Sequence, residues 1–112
     1  MITGIHTILY SKNPDADKAF FNDILQFSNV DIGHGWLIFK CPPAELAVHP
    51  GESGYHEFYL MCDDIHQFIQ KMSKHRIVCS EIQNLRWGDL TSILLPGGSR
   101  LGVYQPKHTR PS

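Results

Sequence analysis

The chain lacks any strong excess of charge: ten Lys and Arg stand against eleven Asp and Glu, a formal net charge of -1. That balance excludes broad attraction to nucleic acid or anionic lipid, each of which wants a basic stripe or patch. No apolar run is long enough to span a bilayer, and no charged-then-apolar leader stands at Met1. Cysteine is scarce: Cys41, Cys62 and Cys79 are an odd number without a paired short spacing. They read as reduced, mostly buried thiols of a cytoplasmic protein, and a zinc-finger reading is poor. There is no glycine-rich phosphate cradle either, because Pro96-Gly97-Gly98-Ser99-Arg100 precedes a strand pattern and not a helix. No serine or cysteine stands in a recognisable nucleophile setting.

What is present is ordinary globular material, 42% hydrophobic and 19% charged. At 112 residues it makes one compact unit by size, able to bury roughly two thirds of its unfolded surface. Gly4 to Tyr10 reads as a strand carrying His6, and Ser11 to Asp15 as a polar turn with proline near a helix start. Ala16, Ala19, Phe20, Ile24 and Phe27 then share one helical face. Ser28 to Ile32 and Trp36 to Lys40 read as strands about a Gly33-His34-Gly35 turn, and Glu45 to His49 as another short strand.

After the linker Pro50 to Gly54 the pattern returns. Tyr55 to Cys62 is a strand, Asp63-Asp64 stands at a cap position, and Ile65, Phe68, Ile69 and Met72 form a helical apolar face. Strands over Ile77 to Ile82, Thr91 to Leu95 and Leu101 to Gln105 follow, and the tail from Pro106 to Ser112 is expected to be loose. The fold class is therefore α+β: two βαβββ modules, 1–50 and 54–106, with tail 107–112. The inner faces of their mixed sheet are expected to form a half-open cup, with the helices outside and a ligand within.

His6-Thr7-Ile8-Leu9, Phe20-Phe21 and Ile24-Leu25-Gln26-Phe27 resemble the first module of the vicinal oxygen chelate superfamily, which includes glyoxalase I, bleomycin-resistance proteins and extradiol dioxygenases. Cys62-Asp63-Asp64-Ile65 and Leu95-Pro96-Gly97-Gly98 are similar to its second-module signatures. The resemblance spans residues 2 to 106, with Phe21 and Gln26 departing from the usual Tyr and Gly.

It implies a divalent ion (Fe, Mn, Ni or Zn) held by His and Glu side chains, with open positions for a substrate's adjacent oxygens. His6 falls on the first ligand position. Glu45 falls near the second, with His49 as the alternative on the same strand face. For the third, the internal repeat selects His56, whereas counting from Asp63-Asp64 selects Glu57. Adjacent strand residues face opposite ways. Glu57 is favoured, since Phe58, Leu60 and Cys62 then face the helix. It is also the candidate proton-moving carboxylate. The fourth position falls on Gly102, which supplies no ligand and admits a close approach.

Two functions follow from the resemblance. One is a metal-dependent lyase or dioxygenase acting on a small, oxygen-rich substrate. The other is a metal-free protein of the bleomycin-resistance type, binding an antibiotic or aromatic ligand on Trp36, Tyr55, Tyr59, Trp87 and Tyr104, with Gly102 where a metal ligand would stand. A homodimer is expected, because open half-sheets have edges to cover.

Overall fold

A computed structural model describes residues 6–45, 47, 50, 52 and 56–111. The chain divides into two compact units, Met1–Leu46 with Pro96–Gly98, and Ala47–Leu95 with Ser99–Ser112.

In the first unit, helix α1 (Pro14–Ala19) continues into a wider, π-helical turn over Phe20–Ile24. Asn13 caps it by accepting from the Ala16 N–H at 3.2 Å, and Pro14 occupies the first turn, where a missing N–H costs nothing. The wide turn closes when the Leu25 N–H donates to the Phe20 carbonyl at 3.1 Å. Phe20 is buried, but Ala19 is exposed and Asp17 is buried in its stead. The Asp17 carboxylate accepts from the Gly97 N–H at 2.7 Å, so a hydrogen bond that the apolar spacing does not register turns this residue inward. A two-stranded antiparallel sheet follows, β1 (Asn29–Asp31) and β2 (Leu37–Phe39). Its turn places Gly33, His34 and Gly35 at positive φ. Phe21 meets the Phe39 ring at 5.8 Å, which joins the wide helical turn to β2.

The strand expected from Gly4 to Tyr10 is not formed over His6–Tyr10, and residues 1–5 lie outside the described residues. Glu45 and Ala47 are likewise not in a strand, and Leu46, Val48 and His49 lie outside the described residues. Backbone pairing makes a strand, and β-branched residues without a bonded neighbour do not supply it.

The second unit reads β3 (Tyr59–Met61), α2 (Ile65–Lys74), β4 (Gln83–Asn84), β5 (Gly88–Leu94) and β6 (Arg100–Pro106). The sheet order is β3-β6-β5-β4, with β3 and β6 parallel and the other pairs antiparallel. It is an α+β unit with a mixed sheet, of the expected class. Asp64 caps α2 by accepting from the Gln67 N–H at 3.1 Å, and the Gln105 side chain accepts from the Ile65 N–H at 2.9 Å. Ile65 and Met72 bury against Thr91, Ile93, Leu95, Leu101 and Val103, all at most 2% exposed. Each such aliphatic side chain contributes about 2 kcal/mol by leaving water.

Alternation then fixes the two faces of the sheet. Odd-numbered residues of β5 and β6 meet α2, and even-numbered ones point the other way. Two expectations need correction here. Ile77 to Ile82 is not a continuous strand: Cys79 alone bridges to Ile93, and pairing resumes at Gln83. The chain end is also not loose through residue 108. Pro106 belongs to β6, and the Lys107 N–H donates to the Trp87 carbonyl at 2.9 Å.

Candidate functional site

The face of the second unit's sheet turned away from α2 carries three aromatic rings. Tyr59 on β3, Trp87 just before β5 and Tyr104 on β6 meet edge to face. Their centroids are 6.0 Å (Tyr59–Trp87), 5.9 Å (Tyr59–Tyr104) and 4.9 Å (Trp87–Tyr104) apart. This geometry sets the positive edge of one ring against the negative face of another.

Backbone register explains the assembly. Tyr59 stands opposite Gly102 in the parallel pair, and Met61 opposite Tyr104. A Cβ on Gly102 would lie 2.5 Å from Tyr59 Cδ1, and one on Gly88 would lie 2.7 Å from Tyr104 Cδ2. Two glycines therefore give two tyrosine rings room to lie close to the sheet. Tyr59 and Trp87 remain 38% and 39% exposed, enough to meet a second molecule.

Polar groups rim the rings. The Tyr59 hydroxyl donates to Glu57 Oε2 at 2.9 Å. The Tyr104 hydroxyl lies 3.0 Å from His108 Nε2, and the two rings are 5.9 Å apart. Lys107 fixes the chain beside them: its Nζ donates to the Leu85 carbonyl at 3.2 Å and pairs with Asp89 at 3.0 Å.

Of the aromatic residues singled out by sequence, Tyr59, Trp87 and Tyr104 are brought together, and Tyr55 lies outside the described residues. Trp36 lies in the first unit, between the β1–β2 turn and β2, and is 70% exposed. The space above Gly102 holds the Tyr59 ring. His108 and Gly88 complete the arrangement. A glycine beside Trp87 was visible in the sequence, but nothing local marks a tail histidine as part of a site.

Of the residues implied as metal ligands, those described stand outside any strand. His6 is exposed and in no strand, Glu45 is half-buried outside any strand, and His56 and Glu57 are exposed just before β3. His49 lies outside the described residues. Among the described residues no three His, Cys, Asp or Glu side chains gather as a group that would hold a metal ion.

An open groove runs along α2, lined by Asp63, Gln67, Phe68, Lys71 and Lys74, and its charged lining is that of a solvated helix flank. Among the described residues no helix is long and apolar enough to cross a membrane.

This is the fold of the glyoxalase/bleomycin resistance/dioxygenase superfamily, the one that the sequence resembles. Lactoylglutathione lyase from Agrobacterium tumefaciens is similar over 92% of this chain and 92% of its own, with a TM-score of 0.68 and 19% identity. TnmS3, an antibiotic-binding protein from Streptomyces sp. CB03234, is similar over 92% of this chain and 100% of its own, at 0.64 and 16%. A superfamily member from Sphaerobacter thermophilus covers 93% of this chain and 98% of its own, at 0.64 and 20%. By sequence, no family model and no curated protein matches the chain.

Proposed function

We propose that this protein binds a planar aromatic small molecule on the Tyr59–Trp87–Tyr104 face. One observation carries the reading: three rings from three separated segments meet on one sheet face, two of them with more than a third of their surface exposed. A cluster serving only as core would bury its rings. Ring faces and edges left at the surface stack on a planar ligand and contribute dispersion and quadrupole attraction. The similarity to an antibiotic-binding protein supports the same reading. The ligand reaches Glu57 and Tyr59 as polar contacts at one side of the rings.

The test is calorimetric titration of the full chain with naphthalene-2-sulfonate, a soluble planar probe, beside Trp87→Ala and Tyr59→Ala. Saturable one-to-one binding, weakened about tenfold or more in Trp87→Ala, supports the reading. No saturable heat, or affinity in both variants unchanged from the wild type, overturns it.

A second reading, a metal-dependent lyase or dioxygenase with His6, Glu45 and Glu57 at the ion, is favoured by the similarity to lactoylglutathione lyase. Its test is metal content after purification without chelator, compared with His6→Ala. A stoichiometric ion lost in that variant supports it, and metal-free wild-type protein overturns it.

The proposal also includes the two-module duplication, the cytoplasm as location and a homodimer. β3 and β4 are the end strands of their sheet, and Cys41, Cys62 and Cys79 are free thiols. Sedimentation at micromolar concentration decides the dimer.

A further inference from the structure

We propose that His108, through Tyr104, makes the aromatic site selective for ligands that bring a hydrogen-bond donor, a phenol above all. The inference rests on the planar-ligand reading and adds the ligand's chemistry.

The argument begins at the histidine's other nitrogen. His108 Nδ1 lies 3.0 Å from the Thr109 carbonyl oxygen. A carbonyl only accepts, so in the neutral ring the proton sits on Nδ1 and Nε2 carries a lone pair. The Tyr104 hydroxyl, 3.0 Å from Nε2, therefore donates to it. With its proton turned toward His108, the Tyr104 oxygen meets an incoming molecule as an acceptor. A donor on the ligand is matched there, and a second acceptor is repelled. Tyr104 is also a wall of the ring cluster, 4.9 Å from Trp87, so the acceptor stands at the edge of the stacking surface.

Lys107 makes this placement definite. Its N–H donates to the Trp87 carbonyl at 2.9 Å, and its Nζ holds Leu85 and Asp89. These three contacts fix the chain one residue before His108. The imidazole thus stands at Tyr104 although it lies beyond the last strand.

Two probes differing only in donor capacity test this: 6-hydroxynaphthalene-2-sulfonate and 6-methoxynaphthalene-2-sulfonate. Each is titrated calorimetrically into the full chain, its His108→Ala variant and its His108→Gln variant. The wild type is expected to prefer the hydroxy probe by about three- to tenfold, the worth of one net hydrogen bond. In His108→Ala the ratio falls to about one, because the released Tyr104 hydroxyl can then donate to the methoxy oxygen as well as accept from the hydroxy probe, and His108→Gln, which keeps an acceptor, restores part of the preference. A wild-type ratio of one, or an unchanged ratio in His108→Ala, overturns the inference and leaves the planar-ligand reading standing. If neither probe binds the wild type, that reading fails and this one with it. His108 is exposed, so its replacement leaves the fold intact, which a far-UV spectrum verifies.

Discussion

Gly102 and Tyr59 stand opposite one another across the parallel β3–β6 pair, and the tyrosine ring occupies the space that a side chain on the glycine would need. A Cβ there would come within 2.5 Å of Tyr59 Cδ1, closer than two carbons approach. The glycine therefore serves the ring cluster, and its smallness is a condition for Tyr59 lying along the sheet.

The two glycines of the cluster differ in what they touch, and their alanine variants should differ accordingly. In Gly88→Ala the new methyl lies 2.7 Å from the Gln105 backbone oxygen as well as from the Tyr104 ring, so the strand itself must move. A loss of about 1–3 kcal/mol in urea denaturation is expected. In Gly102→Ala only the Tyr59 ring obstructs within 3 Å, and a half-exposed ring swings away. That variant should lose less stability but change the near-UV circular dichroism of the aromatics. Equal stability losses would contradict this account.

Thr91→Val replaces a wholly buried hydroxyl by a methyl of similar size. Thr91 Oγ1 donates to the Ser80 carbonyl at 2.7 Å, one of the contacts that hold the 79–80 segment on β5. Its removal should cost about 1 kcal/mol, the net worth of one hydrogen bond. Amide exchange at Ser80, whose N–H donates to the Ser92 carbonyl, should quicken in the same variant.

Asp64→Ala removes the acceptor that caps α2. The expected cost is about 1 kcal/mol, seen as an earlier urea midpoint with an unchanged slope. Asp64→Ser, which keeps a capping oxygen, should recover most of it.

The cysteines should separate by reactivity. Burial pushes the Cys62 thiol up, and the charges of Asp63 and Asp64 add to the effect against a lowering contact from the Asp64 backbone. Burial alone raises Cys79. With iodoacetamide at pH 8, exposed Cys41 should be labelled first and the other two slowly, as read by peptide mass. The folded-state values are raised, so their contribution to stability is full below the unfolded thiol value. It is lost as pH rises through the folded one, so stability should decline into alkaline solution.

Much of this fold is written in local pattern. Asn13-Pro14 and Asp64 announce the helix starts, and the three-and-four spacing of Ile65, Phe68, Ile69 and Met72 gives the face of α2. Period two in Thr91, Ile93, Leu95 and in Leu101, Val103 gives the buried side of β5 and β6. The same alternation sets Glu57 with Tyr59, whose side chains are hydrogen-bonded. Asp17 shows the limit: a carboxylate reads as surface until the Gly97 N–H, 80 positions away, is found against it.

What the sequence settles by itself is composition, the two capped helices and the alternating strands, because each depends on neighbours within a turn or two. Tertiary structure alone decides that Tyr59 lies over Gly102, that Trp87 and Tyr104 join it, and that His108 stands at Tyr104. Those relations depend on the register between β3 and β6, segments some forty residues apart in sequence. No local propensity specifies a register, which is set by how the whole sheet packs against α2.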